Sequence, residues 1–496
     1  MQFNCDEHSL NLQLLPGGIT IQDQSKLLMT EESTICALST PAGQGAIAVI
    51  RMSGPEAVRI ATSIFRIHGR NASPVKLKAH TTHYGRIEDN DRVIDEVIMS
   101  LFKKPHSYTG EDIVEISCHG SRYIQQEILK ILINQGARLA KPGEFTQRAF
   151  LNGKLDLSQA EGVADLIASG SAAAHRLALN QMRGGFSEEI GKLRNELLHF
   201  ASLIELELDF SEEEVEFADR KQLNKLLNRI DTILSSLIRS FQYGNAVRNG
   251  VPVAIIGPTN AGKSTLLNRL LREEKAIVSE IAGTTRDYIE DTIILEGIEF
   301  RFIDTAGLRN ATDAIEAEGI NRTLQKYRKA DIVIVVLDIT EGFEGVRDLL
   351  NFLSEQQEAE KAILFALNKC DLLDQGTCQD RIKQFRDACR FPGEILAISA
   401  REGESLQDLE QMLVDKILKK EQDESAVVVT NMRHYEALVL SSQALERAKN
   451  GLVTSLATDL IAQDIREILH YLGEITGEIT TDEILGNIFR NFCIGK

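Results

Sequence analysis

Alternating apolar and polar positions, broken by turn residues, open the readable part of the chain. Residues 33–50 (STICALSTPAGQGAIAVI) predict two strands around a Pro/Gly turn. Residues 93–101 and 113–117 predict further strands, and 121–135 a helix, so 29–152 reads as an α+β domain. From 153 to 248 the alternation stops. Apolar residues recur there at helical spacing, as at Leu193, Leu197, Leu198, Ile204 and Leu208. Over 249–419 short apolar runs (VPVAIIG, EFRFID, DIVIVVLD, AILFALN, EILAISA) are mostly separated by helical stretches, the pattern of a doubly wound α/β sheet. TIILEGIEFRFID reads as one hairpin, so an otherwise parallel sheet should carry one antiparallel strand. Residues 420–496 return to helical periodicity. The simplest architecture is multidomain: an α/β domain inserted in an all-α domain, preceded by the α+β domain. Two separate helical bundles would give the same pattern.

Composition narrows the class. A chain of 496 residues exceeds one core, and 43% hydrophobic with 26% charged residues is ordinary for a soluble globular protein. No apolar run approaches a membrane span. Residues 1–28 hold Asp6, Glu7 and His8 and lack a cationic start followed by an apolar run. They read as an N-terminal extension, either a disordered arm or the product of start-site choice, and not as a secretory signal. The seven cysteines are scattered without a CxxC pair, which argues against a zinc site or disulfide framework and suits a reducing cytoplasm. A net charge of −18 excludes a general nucleic-acid binder, so any RNA contact must be local or supplied by a partner. The acidic run ELELDFSEEEVEF reads as a solvated helix face and loop.

Five segments in the α/β region carry chemistry. GPTNAGKS (Gly257–Ser264) lies between an apolar strand and the helical LLNRLL, the context a P-loop requires. Gly257 and Gly262 let backbone N–H groups face phosphates at a helix N-terminus, with Ala261 and Thr265 in the same contact set. Lys263 should reach the β/γ-phosphates, and the Ser264 hydroxyl should ligate Mg²⁺. In GTTRD (Gly283–Asp287), Thr285 is the natural second Mg²⁺ ligand and would close over the γ-phosphate as a switch. In DTAG, Asp304 ends a strand near the metal, Thr305 and Ala306 follow, and Gly307 can offer its N–H to the γ-phosphate. In NKCD, Asp371 can accept from guanine N1–H and N2–H₂, while Asn368, Lys369 and Cys370 hold the loop and cover the base. A site built on such hydrogen bonds rejects bases lacking them by roughly 10⁴ or more in favourable cases. Ser399 and Ala400, followed by Arg401, can present a backbone N–H to the guanine oxygen. GTP is therefore the expected substrate.

Leu308 follows DTAG where many GTPases carry the glutamine that orients attacking water. Asn260 is a candidate ligand for a monovalent cation that would supply charge in place of an arginine finger, and Glu316 a candidate to polarise water. Each on its own is more commonly a surface polar residue.

Beyond these segments, TPAGQGAIAVIRMSG (Thr40–Gly54), SYTGEDIVEISCHG (Ser107–Gly120), KPGEFTQRAFLNGKLDLSQAE (Lys141–Glu161) and FCIGK (Phe492–Lys496) complete a resemblance. From Met29 to Lys496 the chain resembles the MnmE (TrmE) family of tRNA-modification GTPases. The resemblance implies an N-terminal domain binding 5-formyl- or 5,10-methylene-tetrahydrofolate, dimerisation through that domain, and a heterotetramer with the flavoprotein MnmG (GidA). Together these would place a carboxymethylaminomethyl or aminomethyl group on C5 of the tRNA wobble uridine. It puts the folate contacts on Arg51, Glu115, Lys154 and Lys496, and K⁺ on Asn260 with Ser279, Ile281 and Thr284, in a loop that includes Glu280, Ala282 and Gly283. It makes Glu316 the water-positioning group, and places Arg286 in the switch. The extension 1–28, and GPTNAGKS where a Pro-Asn pair is usual, depart from the family pattern. Cys493 matches the family's C-terminal cysteine. A reactive thiol there is possible, although a lone cysteine is more often a small buried hydrophobe. Two other readings compete: a ribosome-assembly GTPase, which would need an RNA-binding appendage that is not evident after the α/β region, and a folate-dependent aminomethyltransferase with a regulatory nucleotide domain.

Overall fold

The computed structural model describes residues 33–67, 78–90, 92–209, 220–273, 291–303, 327–342, 361–388, 393–418, 427–454, 456–490, 492 and 494–495. They form two compact units. One contains the chain up to Ala160 and from Thr476 onward, the other Glu161–Ile475.

The first unit is built on a seven-stranded sheet. Its strands are β1 (Ile35–Leu38), β2 (Ile47–Ser53), β3 (Phe65–Ile67), β4 (Thr81–Asp89), β5 (Arg92–Phe102), β6 (Ile113–His119) and β7 (Arg138–Leu139), in the order β3-β4-β5-β6-β2-β1-β7. All neighbours are antiparallel except β1 and β7. Period-two alternation divides the faces. Ile50, Met52, Val97, Met99 and Ile116 are buried with Ile60 and Ile64 of helix α1 (Ala57–Ile64) and Ile128 and Leu132 of α2 (Arg122–Asn134). The opposite face of β2 and β6 carries Arg51 directly across from Glu115. After α3 (Glu144–Leu151), the unit is completed by the start of α4 (Leu157–Ala168) and by the C-terminal helix α13 (Asp482–Arg490). Leu485 and Phe489 of α13 bury against Leu157 and Ala160. The C-terminal helix α13 thus has its apolar partners among residues of the N-terminal unit.

In the second unit α5 (Ala172–Met182), α6 (Gly185–Asp209) and α7 (Arg220–Asn249) precede the inserted sheet. Its strands are β8 (Val251–Ile256), β9 (Asp291–Leu295), β10 (Ile298–Phe302), β11 (Ile332–Asp338), β12 (Ala362–Asn368) and β13 (Glu394–Ile398), in the order β13-β12-β11-β8-β10-β9. Only β9 runs antiparallel, in the expected hairpin with β10. Both faces are covered, so the central strands read as continuous apolar runs. Val253 and Ile255 face α8 (Lys263–Glu273) and α10 (Leu406–Leu418). Ala254 and Ile256 belong with Val333, Phe365 and Phe385, the last on α9 (Gln375–Ala388). After the insertion, α11 (Met432–Val453) and α12 (Thr458–Thr476) close the helical core with α6 and α7.

A buried charge cluster fixes that helical junction. Arg433 donates through Nε and Nη2 to the two oxygens of Glu161 (3.0 and 2.9 Å), and through Nη1 and Nη2 to the carbonyls of Glu474 and Ile475. His434 Nε2 lies 2.7 Å from Glu161 Oε2. Burial pushes the Glu161 carboxyl up, but the His434 and Arg433 contacts more than offset this and hold it at about 2. Burial lowers the His434 ring below its ordinary value. No helix among the described residues is long and apolar enough to cross a membrane.

Candidate nucleotide-binding site

The site lies at the carboxyl ends of β8, β11, β12 and β13, where open α/β sheets bind ligands. β8 runs into the glycine loop and then α8, whose first turn carries Lys263 and Ser264. Gly257 has φ +145°, and a Cβ there would lie 2.1 Å from the Val336 carbonyl oxygen, so the loop can cross β11 only as glycine. Asn260 forms an exposed crest with φ +62°, while Ala261 is buried. Lys263 Nζ donates to the carbonyls of Gly257 (2.9 Å) and Pro258 (2.5 Å), folding over the loop whose N–H groups would face phosphate.

Asn368 unites three of the five segments. At the end of β12 it is 3% exposed. Its Nδ2 donates to Ala261 O in the glycine loop (2.8 Å), and its Oδ1 accepts from Ala400 N–H in the SAR segment (2.9 Å). Gly262 passes so close that a Cβ would lie 2.1 Å from Asn368 Nδ2. Lys369 follows with φ +70°, and its Nζ pairs with Asp338 Oδ2 at 2.5 Å. Burial would raise the Asp338 carboxyl, but its bonds from Lys369 and Thr340 hold it below the usual carboxylate range. Asp371 stands exposed on the 3-10 turn Cys370–Leu372, open to a ligand. The Cys370 thiol, 3.4 Å from Glu404 Oε2, is pushed up to about 12 by burial and that carboxylate, which removes it as a nucleophile at neutral pH.

Ser399 is fully buried, and its N–H donates to Glu404 O (3.1 Å). The N–H groups of both Ser399 and Ala400 are thus engaged within the protein. Arg401 beside them is exposed. Sequence reading did not single out Asp338 and Thr340. The only signal was an acid ending an apolar strand with a threonine two residues later. Ser279–Arg286, Asp304–Leu308 and Glu316 lie outside the described residues, as do Cys493 and Lys496.

A second cluster lies in the first unit. Arg51 Nε and Nη2 both lie 2.8 Å from Glu115 Oε1, and the guanidinium sits 5.6 and 5.8 Å from the ring centres of Tyr108 and Phe145. Gly495 O accepts from Ser39 Oγ (3.1 Å) and Arg51 Nη1 (3.4 Å), which brings Gly495 of the FCIGK segment to this pair. Gly495 has φ +94°, and a Cβ there would lie 2.2 Å from Leu38 O, so glycine is required for the approach. Lys154 Nζ instead donates to Pro105 O (3.1 Å). Tyr108 was not among the expected contacts, although it lies within the quoted SYTGED segment.

Comparison with known proteins bears on the family. The MnmE helical domain model matches residues 157–493, and the model for the GTP-binding protein TrmE N-terminus matches residues 34–154. The tRNA modification GTPase MnmE of Parabacteroides distasonis is 54% identical over 474 residues, covering 94% of this chain and 100% of that protein. The same-named protein of Cytophaga hutchinsonii is 54% identical over 463 residues, covering 93% and 98%. A GTP-binding protein from Sulfolobus solfataricus solved with GDP is 19% identical over 57% of this chain and 79% of its own, at a TM-score of 0.27, too loose a likeness to carry any argument. On the identity and coverage of the curated relatives, this chain belongs to the MnmE (TrmE) family of tRNA modification GTPases.

Proposed function

We propose that the chain is a K⁺-stimulated GTPase that, as a homodimer and together with the flavoprotein MnmG, modifies C5 of the tRNA wobble uridine from a tetrahydrofolate one-carbon donor. The observation that carries the nucleotide part is the Asn368 bridge, which holds the phosphate loop, the base loop and the SAR segment in one frame. In this reading the glycine-loop N–H groups and Lys263 bind the phosphates, and Asp371 selects guanine. Ser264 and Thr285 are the Mg²⁺ ligands. The placement of Ser264 in the first turn of α8, beside the phosphate loop, fits that role. The exposed crest position of Asn260 fits a cation ligand, completed by Ser279, Ile281 and Thr284. Bound K⁺ supplies positive charge in place of an arginine finger, and Glu316 orients the attacking water where Leu308 replaces the usual glutamine.

Arg51 and Glu115 suit a folate. A carboxylate accepts from pterin N–H groups, and the Arg51 guanidinium, packed against the Tyr108 and Phe145 rings, pairs with Glu115 and fixes its orientation. Lys154 and Lys496 complete the proposed set. A bound tetrahydrofolate supplies the one-carbon unit, and the residues here bind and orient it.

GTP hydrolysis measured in K⁺ and in Na⁺ at equal ionic strength tests the cation assignment. The expected result is at least a roughly tenfold higher rate in K⁺, or about 1.4 kcal/mol of transition-state stabilisation. Equal rates in the two salts would remove K⁺ from the site.

A further inference from the structure

Lys369 has two unusual constraints. It is a non-glycine residue in the left-handed region, φ +70°, and its long side chain is tied down at the far end by Asp338. Strained backbone of this kind persists where the surroundings over-determine it, and it clusters at functional sites. Here the surroundings come from β11. Asp338 is the last residue of that strand, in register with Asn368, and the next N–H along, that of Ile339, donates to Asn368 O at 3.0 Å. The Asp338 side chain is 7% exposed, against 33% for Lys369. Both Asp338 oxygens are used. Oδ1 accepts from Thr340 Oγ1 (2.6 Å) and Thr340 N–H (2.9 Å), and Oδ2 faces Lys369 Nζ (2.5 Å). A flexible lysine is thereby fixed at both ends, by its backbone and by its ammonium, two residues before Asp371.

We infer that Asp338, oriented by Thr340, is a positioning residue for nucleotide binding. It holds Lys369 so that the stem forms a preset apolar strip for one face of the purine ring. This rests on the guanine-nucleotide reading above and deepens it. The strip contacts the ring face and not its edge, so it adds affinity for any purine nucleotide that enters. Discrimination by the 2-amino group stays with Asp371. The two contributions are therefore separable.

The test compares GDP and inosine diphosphate, which lacks the 2-amino group, by titration calorimetry on the full-length chain. In Asp338→Asn the amide keeps the shape but turns a donor toward the lysine ammonium. Both affinities should fall by roughly tenfold, with their ratio unchanged, because ordering of the lysine is lost while the edge contacts remain. Thr340→Val should weaken both in the same direction by a smaller factor, and it carries the test if Asp338→Asn does not fold by its melting transition. In a Lys369→Met background, Asp338→Asn should have no further effect, since the carboxylate acts through the lysine. Affinity within twofold of wild type in Asp338→Asn would overturn the inference. A changed GDP to inosine diphosphate ratio would also overturn it, assigning Asp338 to the shape of the Asp371 loop. Failure of the wild-type chain to bind GDP would overturn the nucleotide reading itself, a result separate from either.

Discussion

Asp371→Asn is expected to lower affinity for GDP by about 10³- to 10⁴-fold while raising affinity for xanthosine nucleotides. In the native loop the exposed carboxylate is an acceptor only, matched to the two adjacent donors of guanine, N1–H and N2–H₂. An asparagine in the same place offers one acceptor and one donor. Guanine then meets a donor facing its amino group, whereas xanthine, with a carbonyl at C2, meets its complement. The loop itself should survive, because Asn368 and not Asp371 ties it to the glycine loop and the SAR segment. Competition titrations with GDP and xanthosine diphosphate check both directions of change. Retained guanine preference would mean that another residue reads the base edge.

The second large effect is steric. Gly262→Ala places a methyl group 2.1 Å from Asn368 Nδ2, far inside contact distance, at φ +97°, where an L side chain is strained. Asn368 is buried and cannot yield without losing its bonds to Ala261 O and Ala400 N–H. Left-handed strain of about 1–3 kcal/mol, with about 1–3 kcal/mol for each buried group left unsatisfied, predicts at least a roughly 100-fold loss of nucleotide affinity. The helical core and the core of the first unit are built from other residues, so melting of the first unit should be little changed. Titration with a fluorescent GDP analogue measures the loss. Binding within a few-fold of wild type would show that the loop relaxes around the added methyl group.

These effects trace back to features with different visibility in the chain. The doubly wound sheet was legible because both faces are buried, so β11 reads as an unbroken apolar run and β8 and β12 nearly so. The β9–β10 hairpin was legible from its Glu-Gly turn. The glycine loop and NKCD were legible because their chemistry is local and contiguous. Interactions between residues far apart in sequence were not. Amphipathic periodicity marks α13 as a helix with one apolar face but does not say that this face belongs on Leu157 and Ala160. Gly495 in FCIGK could be quoted as part of a signature, but its approach to Arg51 depends on that docking. Asp338 carries no local signal beyond ending an apolar run. Its partner Lys369 lies 31 residues away, and only strand pairing brings the two together.

In the proposed function this chain serves tRNA wobble-uridine modification and is not a GTPase of another pathway. The most direct measurement is nucleoside analysis, by liquid chromatography and mass spectrometry, of bulk tRNA from cells lacking the gene, beside cells complemented with the wild-type chain. C5-carboxymethylaminomethyl and aminomethyl wobble uridines are expected to disappear in the deletion and return on complementation. Unchanged levels of these nucleosides in the deletion would contradict the proposed function.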